Sequence, residues 1–126
     1  MSRKTQQDDK SLYWCGRTYK DYLKFPDAVQ DDAGYQLDRV QRGLDPVNFK
    51  PVPLVGSGTY EIRVNEDANT YRVFYVAKFE EAVYVLHCFQ KKSKRGIATP
   101  KKELDVARKR YSEVVRNRPA SKEAGQ

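Results

Sequence analysis

The pattern of apolar and polar positions changes period twice along the chain. Tyr19, Tyr22 and Leu23 fall at helical spacing in a short stretch that Pro26 closes. Val29, Ala33, Leu37 and Val40 follow at i, i+4, i+8 and i+11, which is one stripe of a second helix. Pro26 suits the first position of that helix, and Gly43 suits its C-terminal stop. From Thr59 the period drops to two. "TYEIRV" sets Tyr60, Ile62 and Val64 against Glu61 and Arg63, and "YRVFYVAKF" and "AVYVLHCFQ" are two more strand-like runs. Short connections between the three predict an antiparallel meander. Helical spacing then returns, with Leu104, Ala107, Tyr111 and Val114 on one stripe behind Thr99 as N-cap and Pro100 at the first helical position.

Two further stretches complete the order. "SLYWCG" predicts a short first strand ending at Gly16. "LDPVNFKPVPLVGSG", with three prolines and two glycines, reads as a connector without regular structure. The expected architecture is therefore an α+β domain in the order β-α-α-β-β-β-α, with the meander packed on the helices. The expected boundaries are a flexible N-terminus over 1–10, a single domain over 11–116, and a flexible tail over 117–126.

Alternation sorts the meander into two faces. One face collects Tyr60, Ile62, Val64, Val73 and Tyr75, continued by Ala77, Tyr84, Leu86 and Cys88, and is expected to carry the helices. The other collects Glu61, Arg63, Arg72, His87 and Lys91, interleaved with Phe74, Val76, Val83, Val85 and Phe89. Cations and aromatic rings on one surface suit a phosphate backbone with bases stacked on Phe74 and Phe89. Alternatively, Glu61 pairs with Arg63 or Arg72 across a solvated sheet, and His87 is a half-buried polar residue.

Charge sharpens this picture. The 126 residues carry a net +7. Eleven Lys and Arg against three acids lie between His87 and Arg118, so the remainder of the chain is slightly acidic. Positive charge concentrated in this way points to a polyanionic partner or to a solvated helix face. There is no apolar run of membrane-spanning length and no apolar leader, so a cytoplasmic protein with no membrane association is expected. The two cysteines, Cys15 and Cys88, fit no zinc spacing and are expected to be free, partly buried thiols.

The residues also carry a family resemblance. Tyr-Glu-Ile-Arg, then Tyr-Arg-Val-x-Tyr, then Val-Leu-His-x-Phe-x-Lys-Lys, then Pro-Lys-x-Glu and a basic helix, taken in that order, resemble the phage-derived, HigB-like branch of the RelE/ParE toxin superfamily. The resemblance runs from about Leu12 to Val115. It implies the toxin of a type II toxin–antitoxin pair, a ribosome-dependent mRNA endoribonuclease that inhibits translation without metal or cofactor. In such enzymes the 2′-OH of the RNA attacks the adjacent phosphate. By position, Arg63 falls on the basic site of the second strand, Arg72 on the arginine site of the third, and Lys91 or Lys92 on the basic site ending the last strand. His87 shares their face by parity and is the candidate general base, its ordinary pKa near ~6.5 suiting proton transfer.

The basic segment and final helix, with Lys92, Lys94, Arg95, Lys101, Lys102 and Arg108, would dock on ribosomal RNA through phosphate contacts. The implied partners are the ribosome with its mRNA and a cognate antitoxin, with DNA reached only through the antitoxin. Two features depart from the pattern. Glu61 stands where some relatives have lysine, and the tail "RPASKEAGQ" offers no catalytic tyrosine or histidine. Tyr111, on an apolar stripe, is expected to be structural. A ParE-like gyrase inhibitor and a non-catalytic RNA-binding module remain as alternatives.

Overall fold

A computed structural model describes residues 9–91 and 98–119. The elements are β1 (Ser11–Trp14), α1 (Thr18–Tyr22), α2 (Asp27–Gln41), β2 (Phe49–Pro51), β3 (Thr59–Glu66), β4 (Asn69–Val76), β5 (Ala82–Lys91) and α3 (Lys101–Asn117). The five strands form one sheet in the order β1-β5-β4-β3-β2. β1 runs parallel to β5, and the other pairs are antiparallel. The α+β class and the β3–β4–β5 meander agree with the sequence pattern. The order gains one strand, β2, inside the segment read as a connector. Pro51 masked it, because proline cannot donate to a ladder. It is tolerated here because β2 is the outermost strand of the sheet.

Helix α2 presents the expected stripe. Val29, Ala33, Leu37 and Val40 are buried and pack with Ile62, Val64 and Val73 of the sheet. Gly43 ends the segment at φ +86°, a conformation that glycine adopts without a side-chain clash. Gln36 is the polar exception on the stripe. Its Oε1 accepts from the Val47 and Asn48 amides, which fixes the approach into β2. Prolines 26 and 100 stand one position earlier than expected, as the N-cap residues of α2 and α3.

The expected sorting of faces fails in the first half of β5. The register shifts between Phe74 and Tyr75: Phe74 pairs with His87, but Tyr75 pairs with Val85. Leu86 is the extra residue of a β-bulge, and one extra residue reverses the parity of everything before it. Val83 and Val85 therefore join the core beneath α2, and Tyr84 and Leu86 join a second core beneath α3. That second core also holds Phe74, Val76, Ala107 and Val114. The mixed face is thus not an open surface. α3 covers it, apart from a margin beside β2.

Both ends of the described chain are tied down. Lys10 donates to the Ala77 and Phe79 carbonyls through Nζ and to the Gln41 carbonyl through its amide. Arg118 reaches the Glu81 carboxylate through Nε and Nη2 and lies 4.1 Å from the Phe79 ring. The N-terminal residues 1–8 and the tail beyond 119, expected to be flexible, lie outside the described residues. Among the described residues no helix is long and apolar enough to cross a membrane. Cys15 and Cys88 are free and buried, and burial pushes their thiols up to about 11 and about 12. Both therefore stay protonated at neutral pH.

Candidate functional site: a cationic cleft beside β2

The margin of the sheet beside β2 holds a cleft of about 370 Å3, whose floor residues Glu61, Arg72 and Lys91 are themselves buried. Its floor is built by cross-strand pairing. Lys50 lies opposite Glu61, and Arg63 lies opposite Arg72. Lys91 sits opposite Thr70, one diagonal step from Arg72 on β5. All five of these charged residues line the cleft. Two arginines directly opposite one another repel. Glu61 offsets this, with Oε2 3.1 Å from Arg63 Nε and 3.5 Å from Arg72 Nε.

Arg72 is the unusual member. It is 5% exposed, and neither its Nε nor its Nη1 has a hydrogen-bond partner. The Glu61 contact supplies charge compensation without hydrogen-bonding geometry. Burial and the nearby Arg63 depress the proton affinity of Arg72, against the opposing pull of Glu61. A buried guanidinium is expensive unless its donors are used, and Arg72, with two of its donors unused, is a lining residue of the cleft. Lys91 is also shifted down, first by desolvation and then by Arg72. The site thus concentrates fixed positive charge beside Glu61, the one carboxylate among the described lining residues.

Three of the residues predicted from sequence, Arg63, Arg72 and Lys91, come together here. Others do not. His87 does not line the cleft. It lies under the first turn of α3, with Nε2 2.6 Å from Glu103 Oε1 and its ring stacked on Phe89 and edge-on to Phe74. The carboxylate partner requires Nε2 to carry the proton, which leaves Nδ1 buried and without a partner. A second proton there would find no acceptor. This agrees with a His87 pKa lowered by burial despite the opposing pull of Glu103. Such a histidine is an inner strut rather than a base reaching substrate.

Phe74 and Phe89 are likewise packing residues, 0% and 8% exposed, with ring centroids 5.5 Å apart. Alternation put them on the correct face, but α3 covers that face, so neither ring is open to a base. Arg108 is occupied within the fold, donating to the Leu54 carbonyl and to Asp105. Lys101 is highly exposed and pairs with Asp105, and Lys102 is exposed on the same first turn. Lys92, Lys94 and Arg95 lie outside the described residues.

Lys50 joins the site although no motif pointed to it, and Glu61, expected only to pair with an arginine, lines the cleft as well. The signal for Lys50 was the recognition of β2 itself, since its pairing with β3 is what sets Lys50 against Glu61.

Matched against protein-family models, residues 20–112 fit the family described as "Phage derived protein Gp49-like (DUF891)". The match spans most of the chain and includes every residue of the cleft floor. The chain belongs to this phage-derived family, a toxin-like family of the RelE/HigB type. No curated protein matches the chain.

Proposed function

We propose that the protein is the toxin of a type II toxin–antitoxin pair and a HigB-like endoribonuclease that cuts mRNA on the ribosome. The observation that carries this reading is the buried, under-bonded Arg72 at the centre of the cationic cleft. A phosphodiester supplies the anionic oxygens that its donors lack, and a guanidinium can meet two of them at once. Arg63, on the neighbouring strand, holds the same phosphate from its exposed side.

The proposed reaction is transesterification. The 2′-OH oxygen attacks phosphorus, the bond from phosphorus to O5′ breaks, and the products are a 2′,3′-cyclic phosphate and a 5′-OH. Charge grows on the phosphoryl oxygens as the transition state forms, and fixed cations are worth most at that moment. In this reading Glu61, the carboxylate between the two arginines, accepts the 2′-OH proton. An arriving phosphate competes for the two arginines and loosens their hold on Glu61. In this reading Lys91, at the end of β5, donates to the departing O5′. Lys101 and Lys102 extend the positive surface along the first turn of α3 toward ribosomal phosphates. The cognate antitoxin would neutralise the toxin by covering this cleft.

Purified protein added to translating ribosomes should cut mRNA within translated codons and leave gyrase supercoiling unchanged. Intact mRNA together with inhibited gyrase would overturn the reading in favour of a ParE-like activity.

A further inference from the structure

The cleft has a second side that the phosphate chemistry leaves unused. Val52, Pro53, Leu54 and Leu104 line the same cleft as the charged floor. Leu54 is 65% exposed, although the loop that bears it is firmly held. Arg108 Nε donates to the Leu54 carbonyl at 2.9 Å, and the Tyr111 hydroxyl donates to the Ser57 carbonyl at 2.8 Å. Gly56 lies flat on the Tyr111 ring, where an added Cβ would stand 2.6 Å from ring carbons. Val55 points inward into the core under α3. Helix α3 thus uses two polar side chains and a ring face to anchor a loop that leaves Pro53 and Leu54 exposed, while Val52 and Leu104 are half-buried against the core under α3.

We infer that this loop, residues 52–58, is the base-recognition wall of the cleft. It receives the nucleobase attached to the phosphate that Arg72 holds, against the aliphatic side chains of Leu54, Val52 and Leu104. The inference rests on the proposed RNA chemistry for its substrate class, and the cleft itself argues for the occupant. A cationic floor and an apolar wall in one depression match a nucleotide, which carries an anion and a flat, largely apolar group on one sugar. The volume of about 370 Å3 lies within the range of roughly 300–1,000 Å3 usual for small-ligand pockets. Side chains without hydrogen-bonding groups at the wall imply selection by shape and apolar area rather than by base-edge pairing. Arg108 and Tyr111 are positioning residues, acting on the RNA through the loop.

Nuclear magnetic resonance titration with nucleoside 3′-monophosphates and with inorganic phosphate separates the two sides. The Arg72 Nε–H signal should respond to both probes. The methyl signals of Val52, Leu54 and Leu104 should shift with the nucleotides, through ring currents, and stay still with phosphate. Leu54→Ser, at an exposed position, should weaken nucleotide binding about five- to tenfold, the scale expected for losing a few buried methyl and methylene contacts. It should leave phosphate binding unchanged. Tyr111→Phe should shift the relative affinities of the four nucleotides while the Arg72 response persists. If Arg72 responds to both probes and the methyls to neither, the wall is refuted and the anion seat stands. If Arg72 responds to nothing, the proposed function and this inference fall together. If the methyls shift but ribosomal mRNA stays intact, the wall stands and the cleavage reading falls.

Discussion

Replacing Arg72 with methionine should abolish activity and leave the fold as stable as before, or more so. Methionine keeps an unbranched stem of similar reach and removes the charged head. Two buried donors without partners disappear, and each such group costs about 1–3 kcal/mol when left unsatisfied. The repulsion between Arg72 and Arg63, directly opposite on β3, disappears as well. Against this stands the loss of the 3.5 Å contact with Glu61. Orphaning a buried charge typically costs about 3–5 kcal/mol, but Glu61 keeps Arg63 at 3.1 Å and is not orphaned. The balance lies between no change and a gain of about 2 kcal/mol. For a domain of this size each kcal/mol moves Tm by about 3–5 °C.

Activity should move the other way, falling by about 10²–10³, as when an oxyanion-binding donor is deleted. Arg72→Lys should recover part of it, since a point charge lacks the guanidinium fork. Thermal melts and ribosome-dependent cleavage, measured on the same preparations, give both numbers. A Tm loss of more than about 10 °C would show that Arg72 is chiefly a structural tie, and unchanged cleavage would remove it from the site. The predicted pattern, stability gained as activity is lost, is that of a residue strained in the service of function.

Three more predictions address the surrounding structure. The buried His87 takes up a proton less readily than an unfolded histidine, so above about pH 6.5 it contributes no pH dependence. As pH falls below that value the unfolded chain binds a proton that the folded chain refuses, and stability drops until the folded histidine itself titrates. Urea midpoints measured through this window should fall for the wild type and fall less for His87→Gln, and parallel curves would refute the burial argument. Glu81 is held down to about 2, chiefly by its hydrogen bond with Arg118. Its contribution is present above the ordinary carboxylate range and is lost as pH falls toward about 2. Arg118→Ala should cost about 1.5–3 kcal/mol at neutral pH, and the deficit should shrink in acid; a deficit independent of pH would contradict the assignment. Gly56→Ala should cost about 1–3 kcal/mol through the clash with Tyr111, with most of the loss recovered by a second substitution, Tyr111→Ala. An equal cost in both backgrounds would mean that the ring is not the obstacle.

The helices were legible because their apolar stripes are regular, β3 because it alternates, and β4 because it is a β-rich run bounded by turn residues. Arg63, Arg72 and Lys91 could be grouped from parity alone, since they lie beyond the bulge, where the parity count still holds. The sorting of Val83, Tyr84, Val85 and Leu86 was not legible. A bulge is a property of the pairing of two strands, and "AVYVLHCFQ" is apolar on both faces, so the run carries no alternation to betray the slip. The same two-sided apolarity was the missed sign that α3 covers the second face, which turned Phe74, Phe89 and His87 from surface into core. Strand β2 was hidden by its proline, and Lys50 with it. The apolar wall was hidden because Val52 and Leu54 acquire meaning only once Arg108 and Tyr111, more than 50 positions away in the chain, are seen to hold their loop.

The central claim is tested most directly by mapping transcript ends after brief induction of wild-type protein and of Arg72→Met at matched folded levels. The wild type should give new 5′-hydroxyl ends paired with 2′,3′-cyclic phosphate ends, clustered inside translated codons, and Arg72→Met should cut near background. Growth arrest with intact transcripts, or equal cutting by both proteins, would contradict it.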